Sequence, residues 1–284
     1  MTPRDRKHAL LLAILVLTLL AVVQGCGGGG DGYTSYSTDS AWNKRAQFSN
    51  VGTNYSPIVV DGESVRVYPT AHGADLGNLW VGSGGIGGVS DPVLALAIPG
   101  LYIRTAGIAH HEGRWYALLH VGNGYPTTIG YRPAWAESED GLTWSYKGWV
   151  NVDGAAQSCF SSSNALIRFR GEWIGFEDCY GKKIAVIRST DGLNWRVDAG
   201  DAWAAFPDDG AVFPSAAASA DTIHLIAQSR WPGGPMRHLT SSDGRTWTVA
   251  ESEVGIRSEK GANLSFSGGK LYALVNGAFY ERSE

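Results

Sequence analysis

Ser138-Glu139-Asp140-Gly141-Leu142-Thr143-Trp144 recurs as Ser189-Thr190-Asp191-Gly192-Leu193-Asn194-Trp195, and again as Ser241-Ser242-Asp243-Gly244-Arg245-Thr246-Trp247. The three aspartates stand 51 and then 52 residues apart. A fixed period near 50 is the mark of a propeller or a solenoid. The motif also has a local physical reading. Asp followed by Gly suits a tight hairpin, the carboxylate accepting backbone N–H bonds while Gly takes positive φ. The Trp then begins the next strand and can bury a large ring between layers.

A second element repeats half a period away. Val59 to Val65, Ala109 to Tyr116, Arg168 to Ile174, Ser219 to Ile223 and Phe266 to Tyr272 each read as strand, tight turn, strand. Five such hairpins at this period predict an all-β propeller of four-stranded blades, five in number; a chain cut short at its C-terminal end would leave room for a sixth. Ser37-Thr38-Asp39-Ser40-Ala41-Trp42 is a shortened copy of the Asp-Gly hairpin. The fifth unit breaks off where that hairpin is due, so an N-terminal strand is expected to complete the last blade and remove both open sheet edges. Composition agrees. Gly is 38 and Trp 11 of 284 residues, and long apolar helical windows are missing after residue 25, which reads as all-β with many turns.

Residues 1–25 stand apart from this domain. Arg4, Arg6 and Lys7 precede an apolar run from Ala9 to Val23. That run is short for a membrane span, which needs about 20 apolar residues, and suits a secretory leader. Its ending, Val23-Gln24-Gly25-Cys26, resembles the lipobox of bacterial lipoproteins, with Gln24 an unusual residue inside it. The resemblance implies lipidation at Cys26 and attachment to the bacterial cell envelope; an ordinary secreted protein or an uncleaved anchor is the alternative. Residues 26–33, rich in Gly, read as a tether, and 34–284 as the single propeller domain. The membrane is expected to be met only through the lipid. In an oxidising compartment the remaining pair, Cys159 and Cys179, is expected to form a disulfide. The net charge is −4, with no basic block, which argues against nucleic acid as partner. No Cys or His cluster has ligand spacing, so no metal and no cofactor are expected. A monomer is expected.

The thrice-repeated Ser-X-Asp-Gly-X-Thr-Trp pattern resembles the Asp-box (BNR) repeat of sialidase-like propellers. Asp140, Trp144, Asp191, Trp195, Asp243 and Trp247 are its structural residues here. His111 to Tyr116, followed by Ala136 to Trp144, is also similar to five-bladed glycosidases of the arabinanase and fructosidase type. The resemblance implies carbohydrate chemistry at the axial mouth, with Asp boxes on outer hairpins away from it. It does not carry catalytic residues across. Those glycosidases place Asp, Asp and Glu at the starts of their first three blades, where this chain offers Asn54 or Ser56, Arg104 or Thr105, and Asn164.

Glycoside hydrolysis needs two carboxyl groups flanking the bond, one of them with a raised pKa. By strand register the candidates at the mouth are Asp208, Asp209, Glu177 and Glu259. Arg104, His120, Arg230 and Trp231 are candidates for binding substrate, Trp231 as a platform on which a sugar can stack. His110 and His111 alternate across a strand and cannot face one metal together. Gly84 to Gly88 has no following helix to supply a dipole and reads as a loop. Two functions remain open: a glycosidase-like hydrolase, or a non-catalytic propeller that binds glycan or protein.

Overall fold

Among the described residues of the computed structural model, five sheets each run outward from one innermost strand, and a two-stranded ribbon pairs Ala71–His72 with Asp75–Leu76. Blade one consists of Ile58–Asp61, Ser64–Val67 and Leu79–Gly85, with Gly88–Val89 and Val93–Leu96 both pairing the third strand. Blade two runs Tyr102–His111, Arg114–Gly122, Arg132–Ser138 and Ser145–Trp149. Blade three runs Asn164–Phe169, Glu172–Asp178, Ile184–Ser189 and Asn194–Val197, and Asn151–Asp153 adds a parallel strand at its outer edge. Blade four is Val212–Ala218, Ile223–Gln228, Met236–Ser241 and Thr248–Glu251. Blade five begins with Asn263–Ser267, Lys270–Val275 and Ala278–Ser283. Its fourth strand is Asn43–Gln47, with Asn43 opposite Glu281. The innermost strands of neighbouring blades touch all the way round, one to five and back to one. The fold is the five-bladed β-propeller expected from the repeat, closed by the N-terminal strand as anticipated. The structure describes residues 41–284 apart from 52–55, 73–74, 124–129, 155–159, 161–163, 180–183, 199–211, 230–233, 257 and 259. Residues 1–40, with the expected leader, Cys26 and the expected tether, lie outside these residues. Among the described residues no helix is long and apolar enough to cross a membrane.

The tight turns occur where the sequence demanded them. Gly62, Gly113, Gly171 and Gly269 all take positive φ between first and second strands. Outside these hairpins, the apolar faces of each blade meet those of the next, and five buried clusters fill the five seams.

The repeated Trp residues act at those seams rather than within their own blades. Trp144 of blade two meets Tyr68 of blade one edge-on at 5.8 Å between ring centroids. Trp195 of blade three lies 6.0 Å from Trp135 of blade two, and Trp247 of blade four lies 5.7 Å from Phe176 of blade three. Trp42, just ahead of the closing strand, packs with Ile226 and Met236 of blade four. Blade one has Ile86 in the corresponding hairpin, packed against the seam with blade five.

Each Ser-X-Asp-Gly hairpin is held by one internal network. In blade three, Asp191 Oδ1 accepts the backbone N–H groups of Leu193 at 2.9 Å and Asn194 at 2.8 Å. Ser189 Oγ donates to the same oxygen at 3.0 Å and accepts the Gly192 N–H at 2.9 Å. The same bonds recur around Asp140 and Asp243. These donors, backbone N–H groups first, hold the Asp243 carboxyl down at about 2 and the Asp140 and Asp191 carboxyls below the usual range. Gly192 sits at φ +79, and a Cβ there would come within 2.7 Å of Trp135, so this glycine serves both the turn and the seam. Asp191→Ala is expected to lower stability by about 1–2 kcal/mol and to leave ligand affinity unchanged. Urea denaturation beside a binding assay checks both halves; loss of binding in a folded variant would move the hairpin's role to the site.

Two histidines are buried near the seam of blades four and five. His224 Nδ1 lies 3.1 Å from His238 Nε2, and His224 Nε2 lies 3.2 Å from Glu284 Oε1. Burial first, then the charges of His224 and Arg282, push His238 down to about 3. Burial also lowers His224, against the opposing pull of Glu284. Both rings stay neutral in the fold, whereas unfolded His takes a proton near about 6.5. A depressed folded value means stability is complete above that pH and is lost as pH falls from there toward 3. Urea midpoints measured between pH 7 and pH 4 should fall steadily. His238→Gln should flatten that slope, and an unchanged slope would show that other groups set the acid limit.

Candidate functional site: the axial mouth

The starts of the five innermost strands converge on the axis, and a pocket lies among them. Its described walls come from every blade: Pro57, Thr105 with Ala106, Asn164, Phe213 with Pro214, and Lys260 with Ala262 and Asn263. Residues of mixed chemistry, Thr105, Asn164, Phe213 and Lys260 among them, therefore border one small space.

Local structure sets each group in place. Lys260 stands on a segment pinned by Gln228, whose Nε2 donates to Ser258 O at 3.0 Å, while Ser258 Oγ accepts the Lys260 N–H at 3.1 Å. Asn164 Nδ2 donates across the seam to Leu118 O at 2.8 Å, and its buried Oδ1 has no hydrogen-bond partner among the described residues. Phe213 holds φ +55 at a bulge where the pairing of blade four slips between Val212 and Ser215. A bulky residue in that region is strained. Its N–H donates to the buried Asp178 Oδ2 at 3.2 Å. Gly261 gives it room, since a Cβ there would meet Phe213 Cβ at 2.7 Å.

Behind the pocket, the seam of blades two and three holds a buried acid and imidazole. Glu177 Oε2 lies 2.7 Å from His120 Nε2, both side chains 0% exposed. The contact is short but poorly directed for a hydrogen bond, and neither Glu177 oxygen has a well-aligned donor among the described residues. Burial pushes the Glu177 carboxyl above its usual range, opposed by His120 and reinforced by the Asp178 charge. On its other side, His120 Nδ1 lies 3.1 Å from Thr105 Oγ1, and Phe160 meets the ring edge-on at 5.7 Å.

The structure thus brings together two of the residues singled out by register, Glu177 and His120. It does so inside the seam, and neither is among the described walls of the pocket. Arg104 is partly buried at the start of the innermost strand of blade two, where its carbonyl accepts Thr70 Oγ1 at 3.1 Å; it is Thr105 that lines the pocket. Asp208, Asp209, Glu259, Arg230 and Trp231 lie outside the described residues, as does Cys159. Cys179 is buried and disulfide-bonded. Lys260, Phe213 and Pro214 were not legible as site residues, although the short Gly261 beside Lys260 is the trace that Phe213 leaves. At the opposite end of the axis, a second cavity is lined in part by His110, His111 and Arg168. There His110 stacks on Trp115 at 4.4 Å, while His111 faces Trp173 at 6.1 Å. The two histidines serve different seams, and no metal-holding cluster of His, Cys, Asp and Glu occurs among the described residues.

No protein-family profile matches the chain, and no curated protein does. Solved structures do. A family 117 glycoside hydrolase, Zg3597, from the marine bacterium Zobellia galactanivorans aligns with TM-score 0.56 at 11% identity, over 76% of each chain. The Bacillus subtilis arabinanase Arb43A aligns with TM-score 0.57 at 11% identity, over 82% of this chain and 94% of its own. A variant of the Bombyx mori family 32 β-fructofuranosidase BmSUC1, in complex with sucrose, aligns with TM-score 0.53 at 13% identity, over 87% of this chain and 60% of its own. At such identities the likeness is one of fold.

Proposed function

We propose that this chain is a glycan-processing propeller of the Asp-box type, a glycosidase-like hydrolase held at the bacterial envelope by a lipid on Cys26. The observation that carries the reading is the axial pocket, where blades two to five each contribute a polar or aromatic residue and blade one contributes Pro57 to one small space. Its fold is shared with enzymes named for carbohydrate cleavage, one of them seen with sucrose. In this reading the reacting carboxyls are Asp208, Asp209 and Glu259, which stand three or four residues ahead of innermost strands in the sequence, while Arg230 and Trp231 hold the sugar. Glu177, wholly buried, acts through His120 rather than by touching the bond. A disulfide between Cys159 and Cys179 belongs to the same reading.

A second reading, glycan binding without cleavage, is favoured by one observation. No carboxylate lines the pocket among the described residues. One experiment separates the two: the mature domain is incubated with a panel of arabinans, fructans, galactans and sulfated algal glycans. Release of reducing ends supports hydrolysis, binding without release supports the second reading, and neither result removes both. Attachment is tested separately, since Cys26→Ser should abolish fatty-acid labelling; a variant that still labels would refute lipidation at that residue.

A further inference from the structure

Three side chains form one connected line from the seam to the pocket. Glu177 Oε2 stands 2.7 Å from His120 Nε2, His120 Nδ1 stands 3.1 Å from Thr105 Oγ1, and Thr105 lines the pocket. The first two are fully buried and Thr105 is 2% exposed. An acid, an imidazole and a hydroxyl in this order can pass a proton, because each ring nitrogen faces one oxygen at close range and the ring carries at most two N–H groups. The geometry points to a proton relay across the seam in which Glu177 and His120 share one transferable proton, whose presence decides whether the Thr105 hydroxyl donates or accepts a hydrogen bond in the pocket. The relay rests on the reading of that pocket as a carbohydrate site and names the group that meets a sugar hydroxyl there.

The proton count fixes the sense of each bond. With the proton present, the acid and imidazole hold it between Oε2 and Nε2 while Nδ1 also carries hydrogen. Nδ1–H then donates to Thr105 Oγ1, and the threonine's own hydrogen is free to donate into the pocket. When the proton leaves to solvent, Glu177 is a carboxylate, Nε2–H donates to it and Nδ1 is bare. Thr105 then donates its hydrogen to Nδ1 and can only accept from a ligand. A sugar hydroxyl is both donor and acceptor and fits either state, whereas an ether or carbonyl oxygen fits only the first. The pair titrates as a unit. Burial favours the protonated form of the acid. The other charged groups at this place among the described residues are Asp178, which follows Glu177 and binds the Phe213 N–H, and Lys260 on the pocket wall.

The test uses the full chain labelled with 15N-histidine, His120 being assigned by its loss in His120→Gln. Between pH 4 and pH 9, the His120 Nδ1 resonance should pass from a protonated to an unprotonated shift while Nε2 keeps its hydrogen. Glu177→Gln should abolish that transition or move it by more than one pH unit. Thr105→Val should also move it, and Thr105→Ser should restore it, which keeps the test open if the Gln variant does not fold. A single Nδ1 state across the range, or a Val variant that titrates like wild type, overturns the relay. The second arm titrates sucrose, methyl α-L-arabinofuranoside and methyl β-D-galactoside. Any that bind wild type should bind Thr105→Val roughly 2- to 10-fold more weakly, the worth of one neutral hydrogen bond. Unchanged affinity would cut the relay off from the pocket. If none of these sugars binds and the glycan panel is also negative, the carbohydrate reading fails, and the imidazole titration still decides the relay.

Discussion

Trp195→Ala is expected to lower the unfolding free energy by about 3–5 kcal/mol, the usual loss when a buried aromatic ring is removed. The ring is 2% exposed, lies beside Trp135 of the preceding blade, and donates Nε1–H to Gly192 O at 2.8 Å. Removal therefore opens a cavity in the seam of blades two and three and frees the hairpin that Asp191 organises. In a domain of this size the melting temperature should fall by on the order of 10 °C. Trp195→Phe keeps most of the apolar contact, loses only the N–H bond, and should recover more than half of the loss. A change of under about 1 kcal/mol for the Ala variant would show that the seams are held elsewhere.

Asp209→Asn should lower turnover of a cleaved glycan by at least ~10²-fold, because acid–base catalysis contributes about 10²–10⁴-fold. The change is nearly isosteric, so melting temperature should barely move. Trp231→Ala should instead weaken binding, since a stacking surface acts on the bound sugar. Steady-state kinetics beside thermal denaturation would test the assignment, and full activity in the Asn variant would remove Asp209 from the reacting pair.

The fold was legible because it is written in local chemistry. Asp-Gly at a fixed spacing dictates a hairpin wherever it occurs, and Trp42 marks the displaced fourth copy even though the Asp-Gly pair is missing before it. The seams were not legible in the same way. That Trp144 packs on Tyr68, or Glu177 on His120, depends on which faces meet between blades, and periodicity says nothing of facing partners. Register was the sharper difficulty. Arg104 and Thr105 are adjacent, and a step of one residue turns a side chain to the other face of the sheet; the structure puts Thr105, not Arg104, on the pocket wall. Glu177 was identified as a notable carboxyl from its position near the mouth, but its burial is created by a neighbouring blade. Phe213 left no mark of its own, because its strained backbone follows from a bulge that no residue pattern announces.

Closing blade five with Asn43–Gln47 has a consequence during synthesis. This segment leaves the ribosome among the first parts of the domain, and its partner, Ala278–Ser283, among the last. Through that interval its backbone donors and acceptors have no native mate, and an exposed strand of this kind recruits whatever edge it meets. The sequence Asn43-Lys44-Arg45-Ala46-Gln47 answers the hazard with two adjacent positive charges and no β-branched residue. Such a segment pairs poorly with strangers and waits, unaggregated, for the one edge whose Glu281 comes within 3.4 Å of Arg45.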